Sequence, residues 1–282
     1  MFGLIVDLNF ESFAIAPWAA YASIGSYSGY WEYGYNFSEV PMPGAVNFVD
    51  KAEVYAGGIA AKIMPSDSLT LGFDGVYAIM DNGGRKDGVQ APEGEGFYTA
   101  LTVDYALNWG TPGLFAWYAS GDSKRDRDKG KFGRLVTLGP DDGVALTRMG
   151  FTGSYGYGLD SVVSYTAAGT WGIGLQLADV SFVENLSHTA RVAYYQGTNA
   201  KMRDGERSRG VGVFGDNLYL TKEDYAFEVN LDSEYQMYEN LTVVLELGWI
   251  YLDLDKKGYE YRGSNNKDES AYNANLIFRH AF

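Results

Sequence analysis

The chain has 282 residues, a formal net charge of −14, no cysteine, and 36 glycines beside 23 tyrosines, 15 phenylalanines and 6 tryptophans. An acidic balance with no cluster of Lys and Arg argues against recognition of nucleic acid through its phosphates, and the missing cysteines exclude a disulfide framework and a thiolate metal site. No apolar run approaches the roughly 18 to 20 uncharged residues of a membrane-spanning helix, so any crossing of a bilayer must be made by strands.

The amino-terminal MFGLIVDLNF carries no Lys or Arg, holds Asp7 in its apolar run and lacks a small-residue cleavage site, so it does not read as a secretory signal. It reads instead as a first strand over 1–10, followed by a second over 13–27 in which Pro17 removes a ladder donor and predicts a bulge or a local break. Further strands are predicted at 52–64 and 69–81. FYTALTVDYALNW at 97–109 puts Phe97, Thr99, Leu101, Val103, Tyr105, Leu107 and Trp109 on one face and mostly polar or small residues on the other. Strands at 114–123, 171–182 and 188–199 lead to DYAFEVNLDSEYQMY at 224–238, where the apolar Tyr225, Phe227, Val229 and Leu231 alternate with Asp224, Glu228, Asn230 and Asp232. The last two strands are 242–254 and the terminal AYNANLIFRHAF, 271–282, with Tyr272, Ala274, Leu276, Phe278, His280 and Phe282 on one face.

Such alternation runs longer than the 5 or 6 residues of a typical globular strand and suits a tilted bilayer crossing of about 9 to 11 residues plus its ends. Connections alternate as well. Short ones are ES at 11–12, PSDS at 65–68, TPG at 111–113, VENLS at 183–187 and ENL at 239–241; long polar ones occupy about 28–51, 82–96, 124–170, 200–223 and 255–270. Soluble sandwiches also alternate. A greasy set of faces opposite faces rich in Asp, Glu, Asn, Gln and Thr separates the two, because roughly ten strands would share a wide polar interior. The expected fold is all-β: one transmembrane antiparallel β-barrel domain over residues 1–282, placed in the bacterial outer membrane. Trp18, Trp109, Trp171, Tyr238, Tyr251 and Phe282 are expected in its interfacial girdles.

Eleven strands with the last descending to the periplasm would leave residue 1 at the opposite rim, whereas single-chain bacterial barrels have an even count. Two expectations follow: at least one strand precedes Met1 in an amino-terminally truncated sequence, or the 124–170 segment hides a crossing, around 148–155 or 161–168.

Motifs for catalysis are sparse. GVGVFG at 210–215 has dinucleotide-like glycine spacing without a βαβ unit and reads as loop. His188 and His280, the two histidines, alternate with the lipid-facing set, which leaves no lumenal imidazole for a hydrolase. RDRDKG at 125–130 and GPDDG at 139–143 hold clustered carboxylates without a complete Ca²⁺ loop, and NLS at 185 and NLT at 240 reflect the repeated ENL turn. No catalytic residue, metal or cofactor is expected.

Parity places Asp7, Asp74, Asp104, Asp122, Glu228, Asp232, Glu234 and Glu246 inside, with Lys62, Arg191 and Arg279. Lumenal charges of both signs with an acidic excess favour a water-filled channel that leans towards cations.

WGIGLQLADVSFVENLSHTARVAYYQGTN at 171–199, YLTKEDYAFEVNLDSEYQMYENLTVVLELGWIYLDLD at 219–255, GTPGLFAWYASGD at 110–122 and the terminal aromatic resemble the outer-membrane homotrimeric porins of sulfate-reducing bacteria. His280 departs from the bulkier apolar residue usual there. The resemblance implies a trimeric, sixteen-stranded general porin that passes small hydrophilic solutes, with roughly its first third preceding Met1. It also implies a constriction loop upstream of residue 1. Phe282, with Phe278 two residues before it, matches the terminal signal read by the barrel-assembly machinery. Expected partners are outer-membrane lipid and lipopolysaccharide, that machinery and further copies of the chain. The rival reading is a plugged structural or adhesive barrel whose long loops bind a partner.

Overall fold

In a computed structural model of the chain, the residues described are 1–25, 51–81, 85–86, 89–90, 93–125, 131–135, 147–150, 167–201, 220–254 and 268–281. The chain forms β1 (Phe2–Ile5), β2 (Phe13–Gly25), β3 (Lys51–Ile63), β4 (Leu69–Asp81), β5 (Glu93–Tyr105) and β6 (Thr111–Ala119). It continues with β7 (Thr170–Val183), β8 (Leu186–Gly197), β9 (Tyr225–Tyr238), β10 (Leu241–Asp253) and β11 (Asp268–His280). Each strand pairs antiparallel with the next in chain order. Leu8–Asn9 adds to β2, Lys131–Phe132 runs parallel to the start of β5, and Arg85–Lys86 with Val89–Gln90 makes a separate ribbon. Among the described residues β1 and β11 are not paired to each other, so the sheet is open between them.

The predicted strands all occur, with shifted corners. At the β5–β6 hairpin the sequence reading places the turn at 111–113, but Leu107 N–H donates to Gly110 O at 3.0 Å and β6 begins at Thr111. Leu107 and Trp109 keep the apolar alternation of β5 through the corner, so periodicity alone could not find it. Between β7 and β8 the turn is only Glu184–Asn185, with Asn185 at φ 63°, a left-handed position that Asn tolerates in a tight hairpin. Two register shifts in the β7–β8 ladder, beside Asp179 at φ 56°, were not expected.

Pro17 produces a break and no bulge. It pairs in register with Ile59 of β3, while on its other side Val6 N–H donates to Pro17 O at 3.1 Å and Pro17 has no N–H to return the bond. The edge strand is interrupted at that point, between Ile5 and Leu8.

One face of the sheet is apolar and bare. Leu175 is 57% exposed, Leu276 60%, Phe278 63% and Tyr272 80%, and Phe73, Tyr77, Phe97, Leu101, Ile173, Val192, Phe227, Val229 and Leu231 share that surface. An apolar surface continuous over ten long strands far exceeds the few hundred Å² that a monomer shows to water, so it is a surface for hydrocarbon. Aromatic pairs knit it across strands: Trp171 meets Tyr194 edge-on at 5.8 Å and Phe227 meets Trp249 at 6.1 Å. Tyr251 pairs with Phe227 and belongs to the same face, Trp109 stands in the β5–β6 turn, and Tyr238 is 65% exposed at the end of β9. Trp18 does not join them. Its register partner is Gly58, which stands opposite Val76 and then Tyr98, so Trp18 lies on the inner face with its indole across Gly58. The interruption at Pro17 gave no sequence clue to this, because the alternation around it is carried by alanines. Phe282 lies outside the described residues.

Replacing Leu175 by Arg puts a guanidinium on the hydrocarbon face. Denaturant titration of refolding into phospholipid vesicles is expected to show a loss of about 2–4 kcal/mol, falling towards zero for the same change near a rim.

Candidate lumenal site

The opposite, inner face carries the charges, and the register brings them together on β8, β9 and β10. Arg191 faces Asn230, Glu228 faces Ala193 and Ile250, and Asp232 faces Glu246. Three of the expected carboxylates and one expected arginine are therefore neighbours.

A segment of the long β6–β7 connection, Thr147–Gly150, lies on this group. The fully buried Glu228 carboxylate accepts Arg148 N–H (2.8 Å), Met149 N–H (2.8 Å), Gly150 N–H (2.9 Å), the Tyr195 hydroxyl (3.0 Å) and the Asn230 amide (2.9 Å). Hydrogen bonds to an ionised acceptor contribute about 1.5–3 kcal/mol each, and five of them offset the cost of burying the charge. Met149 then packs down onto Gly248, whose Cα would carry a Cβ only 2.6 Å from Met149 Sδ, so a side chain at 248 would lift the segment off the wall.

The Arg148 side chain continues along the wall. Its Nε and a terminal nitrogen donate to Asp232 Oδ2 at 3.1 and 2.9 Å, and its other terminal nitrogen lies 3.3 Å from Glu246 Oε1. Arg191 donates to the same Asp232 Oδ2 at 2.7 Å. Two carboxylates and two guanidiniums thus meet in one cluster beside the buried Glu228, open to water at its arginines, whose side chains are 25% and 22% exposed.

The same connection is pinned at two more places. Asp122 accepts Gly133 N–H at 2.8 Å and pairs with Arg134 Nε at 3.0 Å, and Lys131 pairs with Glu93. On its return, Gly169 at φ 74° donates to Ser120 O, and Thr198 N–H and the Asn199 amide both donate to Gly169 O. Beneath it lies an apolar cluster on the inner face that includes Tyr98, Phe115, Trp117, Tyr195, Ile250 and Leu252, with Met149, Ala167 and Leu220 over it. Trp117 Nε1–H closes on Thr170 Oγ1 at 3.0 Å.

The inner face is consequently not the evenly polar wall expected from parity. Towards the long-loop rim it is aromatic and covered; towards the short-turn rim it is charged. Glu228 is buried beneath the loop and anchors it instead of facing water, and Asp122 serves the base of the loop. Asp104 accepts the Gln176 amide at 2.6 Å, Asp74 lies between Ala60 and Ala100, and exposed Lys62 faces Gly72, all on the far side of β6 from the cluster. Arg279 and Glu234 stand 3.5 Å apart near the short turns. His188 and His280 are on the outer-face parity, His188 Nδ1 2.8 Å from Ser233 Oγ and His280 Nε2 3.0 Å from the Asn240 amide.

Arg148 was missed by the sequence reading, which treats 124–170 as an outer loop or a hidden crossing. For 148–150 the crossing is excluded: their N–H groups go to a side-chain carboxylate and not to a ladder. Residues 151–155 and 161–166, GVGVFG at 210–215, GPDDG and most of RDRDKG lie outside the described residues. The inward segment also shows that this chain holds an inward-folded loop of its own, whatever lies upstream of residue 1.

No protein-family model matches the sequence, and none of the curated proteins matches it. Solved structures with a similar chain path include the outer membrane protein OprD of Pseudomonas aeruginosa (12% identity, 98% of this chain and 67% of that chain, TM-score 0.42). They include the toluene transporter TodX of Pseudomonas putida (11% identity, 96% and 72%, 0.38) and a loop-deletion form of OmpT, an outer membrane protein of Vibrio cholerae (10% identity, 98% and 78%, 0.36). At these scores the likeness adds nothing to the geometry above. By its long antiparallel strands, its apolar outer face and its alternating rims the chain is the wall of a transmembrane β-barrel of the bacterial outer-membrane type.

The native chain has no cysteine, so Met149→Cys gives a single thiol reporting on the loop. In the folded protein it is expected to resist a water-soluble maleimide. Adding Glu228→Gln, which replaces an acceptor oxygen with a donor facing N–H groups, is expected to raise the labelling rate at least about tenfold, the equivalent of 1.4 kcal/mol in opening.

Proposed function

We propose that this protein is an outer-membrane porin, a channel for passive diffusion of ions and small hydrophilic solutes with a weak preference for cations. The observation that carries the reading is the charged half of the inner face: Asp232, Glu246, Arg148 and Arg191 project from the wall and the inward loop into the space the sheet would enclose. Charges of both signs lie at close quarters there, and elsewhere on the inner face Asp74, Asp104 and Glu234 outnumber Lys62 and Arg279, an acidic excess that enriches cations locally. The segment Thr147–Gly150, fixed on the inner wall, narrows the passage in this reading. Kinship with the homotrimeric porins of sulfate-reducing bacteria, and a trimer of sixteen-stranded barrels, are the finer form of the same proposal, supported by the sequence stretches quoted above. The reading includes no catalytic step, which agrees with both histidines lying on the outer-face parity.

One observation favours the plugged or adhesive reading: the aromatic cluster under the loop fills part of the inner face near the long-loop rim. The two readings separate in reconstituted membranes. Planar-bilayer recording of the intact protein is expected to show stepwise conductance, and proteoliposomes are expected to swell in small sugars; tight liposomes and a silent bilayer would establish a plug.

A further inference from the structure

We propose that Arg148 sets the charge selectivity of this passage, as a loop-borne cation held over an acidic wall, while Glu228 beneath it only fixes where the loop lies. The proposal rests on the channel reading and assigns its selectivity to one side chain. Arg148 is the group that spans the acidic cluster: it reaches Asp232 at 2.9 Å and Glu246 at 3.3 Å, while Arg191 touches Asp232 at 2.7 Å. Exposure orders the group. Glu246 is 5% and Asp232 11% exposed in their side chains against 25% for Arg148, so a passing ion meets the guanidinium before the carboxylates it covers. Asp232 Oδ1 accepts no hydrogen bond among the described residues, which leaves an anionic oxygen whose field is masked by the two arginines bonded to its neighbour. Low-dielectric walls focus such fields, so removing one unit of positive charge here exposes the wall's acidic excess to the pore.

Position and charge are carried by different atoms. The loop is held by the backbone N–H groups of 148–150 on Glu228, contacts that a change of the 148 side chain does not remove. Arg148→Gln should therefore change which ions pass more than how many, and Glu228→Gln the reverse.

The test is the reversal potential in a KCl gradient across planar bilayers holding the intact protein. Arg148→Gln is expected to raise the K⁺:Cl⁻ permeability ratio about two- to threefold, with a smaller fractional change in single-channel conductance. Arg148→Lys is expected to keep the native ratio, and the difference should shrink at about 1 M salt, where screening acts within about 3 Å. An unchanged ratio in Arg148→Gln, or a lysine variant that behaves like the glutamine one, overturns the assignment. If Arg148→Gln does not reach the membrane, Asp232→Asn must lower the ratio; no movement there overturns it equally. A silent native protein removes the channel reading and this inference together, whereas a conducting native protein with an indifferent Arg148 removes the inference alone.

Discussion

Everything that distinguishes this wall from a generic antiparallel sheet depends on one buried carboxylate. Glu228 sits in the first third of a strand, on the face turned from lipid, and is fully buried. An ionised group in that position is untenable unless it is saturated with donors. Two of its donors come from the sheet itself, Tyr195 and Asn230, and they are not enough. The remaining three are backbone N–H groups of a segment roughly eighty residues away in sequence, which must leave the rim and come down onto the wall to supply them.

That requirement organises the inner face. With 148–150 fixed, Met149 fills the space over Gly248, and the Arg148 side chain reaches the facing acidic pair Asp232 and Glu246, four residues along their strands from Glu228 and Ile250. The same connection is pinned at Asp122 and at Gly169, each by its own hydrogen bonds, and its Met149 and Ala167 pack on an aromatic cluster of the inner face. A hydrophobic core is thus built on the lumenal side of a membrane protein. The outer face has no need of one, because hydrocarbon solvates it, and it shows large apolar residues with little packing between strands beyond neighbouring rings.

The division between the two halves of the inner face has the same origin. Near the short turns no loop descends among the described residues, so polar side chains remain exposed there, as Arg279 and Glu234 do. Nearer the long loops the chain covers its own wall, and residues that would be useless in a water-filled lumen, such as Trp117 and Ile250, become buried contacts.

Strand existence, strand order and the sidedness of nearly every residue were legible in the sequence, because a period of two is enforced wherever one face meets lipid and every neighbour in the sheet is the next strand in the chain. The break opposite Pro17 was legible too, from a missing N–H. Corners were read less well where Leu107 and Trp109 continue the pattern through a turn, and Trp18 was placed on the wrong face because alanines around it carry no contrast. The site was half visible. Parity showed that Glu228, Asp232, Glu246 and Arg191 share a face, but it could not show that one of them is buried as an anchor, nor that Arg148 completes the cluster. Those facts depend on where a long loop lies, and a loop has no period. Only the folded chain, in which a buried carboxylate must find its donors, decides that this one turns inward.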